Sequence, residues 1–417
     1  MVKMKLTEIL NDLKANPIFR MSLGSKELFH SNFLEFLWDI DDKEKNRFSN
    51  MIAKLLKGRK LDFKPESVFD REKENFDVCI HHCENKNKKN GEQGQKTKDV
   101  YDLIIENKVK SIPRKDQLEE YEEKAKGKGN PVFLLLSLVT DFPCRKELID
   151  DKSPWIVAHY DQLKEAIENH YKDVGERNLK YITDYCQFIG QMHKLQEHII
   201  DNQVYYDKEE LNEYKKLRIH DLYIKLRGSM FITRLKEKLE KELIGATIHI
   251  LPFNITDNKK KTRSFKYEDI RPFCKEKGGV HVFLDCTIQR GSGMIAAYVY
   301  KHRTNCDYIY EVVIQGDEYR HGINSSNESD LKLLPSNYSD KDKEEANKLL
   351  KLWAAVNNRD AGFFKKIHNS IQTCPEHFRK YAPDCVYKYV KLKKNETVSD
   401  LIDAFAKDII NIIPKLN

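Results

Sequence analysis

Long hydrophobic runs are missing from this 417-residue sequence. No stretch approaches the ~18 uncharged apolar positions that read as a membrane-spanning helix, so none is expected. The opening MVKMKLTEILNDLKANP also lacks a continuous hydrophobic region of the signal-peptide kind, which predicts a protein that stays in the cytoplasm. The nine cysteines (Cys79, Cys83, Cys144, Cys186, Cys274, Cys286, Cys306, Cys374, Cys385) are odd in number and scattered, which argues against a disulfide framework and reads as reduced thiols. No G-x-x-x-x-G-K-[ST] motif occurs, and Gly291-Ser292-Gly293 is too short for a phosphate-binding loop, so no built-in ATPase is expected. Internal repeats and long low-complexity segments are absent as well. A large charge of one sign is lacking too: 73 basic against 66 acidic side chains leave +7, and any attraction to a polyanion must come from local clusters.

What is present is a globular, rather polar composition, 40% apolar and 33% charged, long enough for two or three domains. MKLTEILNDLKANPIF has helical spacing. ELFHSNFLEFLWDIDD resumes it with Leu28, Phe29, Phe33, Leu34 and Leu37 on the inner face, and NRFSNMIAKLLKGRK adds a short helix with Leu55 and Leu56 inward. ESVFDREKENFDVCIHH then reads as two strands around a tight charged turn. The lysine-rich CENKNKKNGEQGQKTKDV has no apolar run and predicts a flexible hairpin connection. VYDLIIENKV predicts a central strand, PRKDQLEEYEEKA a helix that tolerates proline in its first turn, and NPVFLLLSLV a second continuous apolar strand. PWIVAHYDQLKEAIENHY repeats strand then helix. Strands buried on both sides and separated by helices predict an α/β sandwich with a mixed sheet. NLKYITDYCQFIGQMHKLQEHII, with Ile182, Tyr185, Ile189, Met192 and Leu195 at helical intervals, closes the first domain, drawn as residues 1–204.

The second domain, residues 205–417, opens with the helical KEELNEYKKLRIHDLYIKLRGSMFITRLKEKLEKELIG. ATIHILPF, GGVHVFLDCTIQ, GMIAAYVYKH and DYIYEVVIQGDEYRHGI follow and predict an antiparallel sheet. DKEEANKLLKLWAAV and VSDLIDAFAKDIINII predict two late helices, completing an α+β module.

Chemistry concentrates at the end of the central strand. Strand alternation puts Glu106 and Lys108 on one face, with Asp102 and Ile104 behind them. If the preceding strand pairs as a hairpin about the basic loop, Asp77 comes level with Glu106. Two converging carboxylates, completed by main-chain oxygen and water, make a hard oxygen site suited to magnesium or manganese. Such an ion polarises a phosphoryl group and acidifies a bound water, while a lysine positions that water or offsets developing charge. That combination is phosphodiester hydrolysis chemistry. Asp102 competes as a ligand on the same face, but four residues of strand span ~13 Å, too far for one ion. An E-x-K triplet taken alone reads as surface charge in a lysine- and glutamate-rich chain. Its position at the end of a buried strand, where α/β proteins build sites, singles it out. Cys79, His81 and Cys83 of CIHHC share a strand face, yet same-face neighbours are ~6.6 Å apart and no second cluster completes a tetrahedral set, so they read as core and rim residues rather than zinc ligands.

Asp77, the Glu106-x-Lys108 pair and the following Gln117-x-x-x-Tyr121 resemble the PD-(D/E)XK nuclease superfamily, especially members with a Q-x-x-x-Y signature on the helix after the motif. The element order, helix, three strands, helix, strand, is similar to that family's core. The resemblance therefore implies a restriction-endonuclease-like α/β core with a mixed central sheet flanked by helices, over roughly residues 20–165, with a second α+β domain beyond it. It implies that Asp77 and Glu106 hold Mg2+ or Mn2+, that Lys108 assists the attacking water, and that Gln117 and Tyr121 border the site. A glutamate on the first core helix often contributes in the family, which points to Glu35 or, second, Glu27. ELFHSNFLEFL is similar to the start of uncharacterised bacterial members, where the histidine and asparagine, here His30 and Asn32, precede the first helix. The family's eponymous proline is absent before Asp77, where Asn75 and Phe76 stand, so Asp77 rests on strand geometry.

The implied activity is metal-dependent hydrolysis of DNA, in defence against foreign DNA or in DNA repair. The alternative is a catalytically silent nucleic-acid-binding or scaffold protein that retains the fold. Lys86, Lys88, Lys89, Lys96 and Lys98 around the hairpin connection are candidate backbone contacts, as are Lys259, Lys260, Lys261 and Arg263 beside Phe265 and Tyr267. A solvated turn is the plain alternative for both clusters. Neither half contains a zipper or other dimer element, so a homodimer and a separate partner protein both stay open.

Overall fold

Apolar side chains at helical spacing organise the start of the first of two compact units, Met1–Asp201 and Asn202–Asn417. The computed structural model describes residues 6–22, 26–42, 44–85, 97–109, 115–139, 153–205, 207–251, 254–256, 262–264, 270–289, 292–301, 308–325, 379–381, 385–392 and 396–412. Helix α1 (Leu6–Ala15) buries Ile9, Leu10 and Leu13. Asn16 then caps α2 (Pro17–Ser22): its side-chain oxygen accepts the Phe19 N–H at 3.1 Å, and its amide donates to the Asp184 carbonyl at 3.0 Å. In α3 (Lys26–Asp39) the buried side chains are His30, Ser31, Phe33, Leu34, Leu37 and Trp38. Leu28, read as inward from the sequence, is exposed because it lies off the stripe that His30, Leu34 and Leu37 form. His30 and Asn32 sit inside this helix rather than before it. Helix α4 (Asn46–Leu55) buries Leu55, and Leu56 just beyond it is buried as well.

The sheet of the first unit runs in the order β1 (Val68–Arg71), β2 (Val78–Asn85), β3 (Thr97–Lys108), β4 (Val132–Ser137), β5 (Trp155–His159). β1, β2 and β3 pair antiparallel, whereas β3, β4 and β5 pair parallel, which makes the sheet mixed. Helix α5 (Lys115–Ala125) lies between β3 and β4 in the chain, and α6 (Tyr160–His170) and α7 (Glu176–Asp201) follow β5. β3 is central, and its consecutive Leu103, Ile104 and Ile105 have no exposed surface, the mark of a strand covered on both faces. Helices α3 and α7 meet through aromatic rings. Phe33 stacks on Tyr185 with centroids 3.6 Å apart, and Phe29 and Phe188 pack around them. Burying each such ring contributes about 1.5–3 kcal/mol.

In the second unit the long helical reading divides into α8 (Lys208–Lys216) and α9 (His220–Glu242), because Arg218 adopts φ 57°, a left-handed conformation no helix can carry through. Asp207 caps α8 by accepting the N–H groups of Glu209 and Glu210 at 2.9 and 3.2 Å. After β6 (Ala246–Ile250), β7 (Asn254–Thr256), β8 (Thr262–Ser264) and α10 (Ile270–Lys277) come β9 (Val280–Gln289), β10 (Ser292–Lys301), β11 (Tyr308–Gln315), β12 (Glu318–Ser325), β13 (Arg379–Tyr381) and β14 (Cys385–Lys391). The seven-stranded sheet has the order β13-β14-β12-β11-β10-β9-β6. It is antiparallel except at one edge: β6 pairs parallel to β9, which the local strand pattern cannot reveal. DYIYEVVIQGDEYRHGI is a hairpin rather than a single strand, turning at Gly316-Asp317 between the paired Gln315 and Glu318; Gly316 takes φ 59°. Helix α11 (Val398–Ile412) is the last of the expected helices, while DKEEANKLLKLWAAV lies outside the described residues.

Candidate active site

The C-terminal end of β3 carries the constellation that the sequence singled out. Glu106 and Lys108 share a face and are buried, at 0% and 6% exposure. Burial of a carboxylate this complete demands partners. The Lys108 ammonium ion-pairs with Glu106 Oε1, and Gln117 of α5 donates its side-chain amide to the same oxygen at 2.6 Å. Glu106 Oε2 is also buried, yet it has no hydrogen-bond partner among the described residues. Burial pushes the Glu106 carboxyl up to about 8; the Lys108 charge opposes the shift and the negative charge of Asp77 adds to it.

Asp77 stands one residue before β2. The pairing of Val78 with Ile105 brings it level with the end of β3, and its Oδ2 accepts the Asn107 main-chain N–H at 2.7 Å. The turn that delivers it, a 3-10 segment over Lys73–Asn75, holds Glu72, Glu74 and Asn75 at φ 56°, 55° and 69°. Non-glycine residues resist this left-handed region, so something must hold them. Lys128 grips the Glu74 carboxylate at 2.5 and 2.6 Å, Lys73 pairs with Asp99 at 3.0 Å, and the Tyr121 hydroxyl donates to the Asn75 carbonyl at 2.5 Å. Gln117 also donates to the Tyr121 oxygen at 3.3 Å. The Q-x-x-x-Y pair, one helical turn apart, thus ties Glu106 at one end to the backbone just before Asp77 at the other.

Asn107, a mere spacer in the sequence motif, is a node of the site. It is fully buried on the opposite face from Glu106; its amide donates to the Ser31 hydroxyl at 2.8 Å, and its side-chain oxygen accepts from Tyr160 at 3.3 Å. Tyr160 meets the His30 ring edge-on at 5.0 Å, and His30 Nδ1 lies 2.8 Å from the Tyr185 hydroxyl. The only sequence signal for this network was the odd presence of polar His30 and Ser31 on the inner stripe of α3.

Other candidates have partners of their own. The Glu35 carboxylate is ion-paired with Arg71 at 2.7 Å, and the side chain of Glu27 lies outside the described residues. Asp102 pairs with His82 at 3.0 Å. In the CIHHC stretch, His81 Nε2 lies 2.8 Å from both Asp70 and Lys73, the Cys79 thiol is pushed up to about 12 by burial, and Cys83 is exposed. Lys98 precedes Glu106 by eight residues on β3, roughly 26 Å of strand. Lys86, Lys88, Lys89, Lys96, Lys259, Lys260 and Lys261 lie outside the described residues, as does the side chain of Arg263 on β8.

Magnesium and manganese ask for hard oxygen donors. Glu106 Oε2, buried and without a partner, beside the field of Asp77, fits such an ion. No group of three or more His, Cys, Asp or Glu residues able to hold a metal occurs among the described residues, so water and main-chain oxygen would complete the shell. Among the described residues, no helix is long and apolar enough to cross a membrane.

Comparison with known proteins bears on the first unit alone. Residues 18–187 match the family model of the PD-(D/E)XK nuclease superfamily, a segment that spans Asp77, Glu106, Lys108, Gln117 and Tyr121. No curated protein matches the chain.

Proposed function

From the match of residues 18–187 to the family model of the PD-(D/E)XK nuclease superfamily, we propose that the first unit is a divalent-metal-dependent deoxyribonuclease of the branch with a Q-x-x-x-Y helix. The observation that carries this reading is the asymmetry of Glu106: one carboxylate oxygen is held by Lys108 and Gln117, while the other is buried beside Asp77's charge without a partner. Buried carboxylate oxygens that serve only structure are ordinarily hydrogen-bonded.

Asp77 and Glu106 would hold Mg2+ or Mn2+, which when bound supplies Lewis-acid stabilisation of the phosphoryl charge. Lys108 orients the attacking water and offsets the negative charge that grows on the phosphate, from a site shielded enough for that charge to count. Gln117 fixes the Glu106 rotamer, and Tyr121 braces both Gln117 and the turn before Asp77. Asn107 keeps Asp77 in register through its main-chain N–H. The ion pair of Glu35 with Arg71 favours a site built on two carboxylates rather than three. The substrate is DNA, the setting defence or repair in the cytoplasm, and the second unit contributes nucleic-acid contacts or partner binding.

The test is incubation of the full chain with supercoiled plasmid, linear duplex and single-stranded DNA, with and without Mg2+ or Mn2+, beside Asp77→Asn and Glu106→Gln proteins. Cleavage that needs the metal and disappears in both folded variants supports the reading, and the products separate internal from terminal cutting. A wild-type protein that neither cuts nor binds either ion leaves a silent binding or scaffold role instead.

A further inference from the structure

The second unit holds a cavity that the nuclease reading leaves unused. It lies among α8, α9, the strands β9 and β10 and the β11–β12 turn, with a volume of about 80 Å³. A water-sized space takes roughly 10–15 Å³ on the same measure, so this is room for several waters or for the head and first atoms of a small molecule. Its walls include Tyr205, Tyr223, Met294 and Ile295, with Arg227 and the exposed Lys215 supplying charge; among the described residues no acidic side chain lines it.

Arg227 is the unusual member. It is 4% exposed, and two of its guanidinium nitrogens donate to the main-chain carbonyls of Asn202 and Val204. Its Nε–H is buried and unbonded, and no carboxylate lies within ion-pair distance of it among the described residues. The nearby Glu210 is committed elsewhere, accepting from Tyr214 at 2.5 Å and Asn202 at 2.8 Å, and is not part of the cavity wall. The Tyr223 hydroxyl, 5% exposed, has no acceptor for its own proton, while its oxygen lies against the Arg227 guanidinium, whose charge works against the upward pull of burial. A buried guanidinium with no carboxylate bonded to it is a costly arrangement, and guanidinium edges match carboxylates and phosphates. The cavity therefore offers two unspent donors at depth, a second cation at the solvent side, and an aromatic and aliphatic lining.

We propose that this cavity binds a small organic anion, a carboxylate or phosphate carried on an apolar or aromatic body, with the Arg227 guanidinium as anchor and the Tyr223 hydroxyl as second donor. Cys286 is wall rather than reagent, since burial pushes its thiol up to about 12. Lys215 assists from the solvent side.

Isothermal calorimetry on the full chain tests this with inorganic phosphate, benzoate and adenosine monophosphate as probes, and benzamide and adenosine as neutral counterparts. One of the anions should bind once per chain with a dissociation constant below about 1 mM, and its neutral counterpart at least about tenfold more weakly. Arg227→Lys, which keeps the charge but loses the Nε donor, should weaken binding about tenfold, and Tyr223→Phe about threefold to tenfold. Tyr223→Phe removes one oxygen while retaining the ring that stacks on Tyr214, so it carries the test even if Arg227→Lys does not fold. Glu106→Gln should bind as the wild type does, which keeps this site separate from the nuclease reading. The proposal is overturned if no probe binds at about 10 mM, if a neutral counterpart binds as tightly as its anion, or if folded Tyr223→Phe binds unchanged.

Discussion

At the scale of single residues, the proposed chemistry turns on Glu106. A cation can load only onto the ionised carboxylate, and burial, with Asp77's charge adding to it, holds this carboxyl near about 8 rather than at its ordinary 4.5. Proton competition then acts across the neutral range: apparent Mn2+ affinity should climb about tenfold per pH unit from about pH 6 and level off above about pH 8. A titration that is flat over this range would mean that Glu106 is ionised without the metal. Asn107 makes a different prediction. Asn107→Ala keeps the main-chain donor on Asp77 but removes the two buried side-chain hydrogen bonds to Ser31 and from Tyr160, which should lower stability by about 1–3 kcal/mol in urea unfolding. The folded fraction should still bind metal, whereas Glu106→Gln should not. Strand alternation alone made the shared face of Glu106 and Lys108 legible in the sequence. The roles of Asn107, Ser31 and His30 were not legible, because alternation says which way a side chain points and not what packs there. The Glu35–Arg71 pair was hidden for the same reason: it depends on α3 lying beside β1.

Elements depend on close approaches that single positions permit. Helix α9 meets β9 at Gly228, where an added Cβ would stand 1.9 Å from Cys286 Sγ and 3.3 Å from its Cβ. Gly228→Ala should therefore destabilise the chain by about 1–3 kcal/mol. Combining it with Cys286→Ala removes the clashing sulfur, and the double variant should recover most of that loss in a thermodynamic cycle; strictly additive losses would contradict the packing described. Among elements, those with a strong local period were readable: the five-stranded order of helices and strands in the first unit, and Ile182, Tyr185, Ile189, Met192 and Leu195 on the buried face of α7. The parallel pairing of β6 with β9 was not readable, since a strand's neighbour is chosen by the sheet and not by its own residues. The break at Arg218 and the hairpin at Gly316-Asp317 turn on one backbone angle each, which composition hides.

On the scale of the whole molecule, each unit has its own sheet and its own buried core, and the site lies entirely in the first. A fragment of residues 1–201 should consequently unfold as one cooperative transition in circular dichroism; a fragment without a transition would show that its core depends on the second unit. The sequence divided the chain by the end of its long helix, but it had no pattern from which to foresee the cavity around Arg227, whose walls come from segments far apart in the chain. The central claim is that Lys108 does chemistry while Glu106 and Asp77 carry the ion, and one measurement separates the two. Plasmid cleavage by Lys108→Met should be followed alongside its Mn2+ binding. Without the Lys108 charge the Glu106 carboxyl rises further, so Mn2+ loading should move to higher pH; at a pH where both proteins carry the ion, the account predicts cleavage slowed at least about a hundredfold. Cleavage by Lys108→Met at the wild-type rate would contradict it.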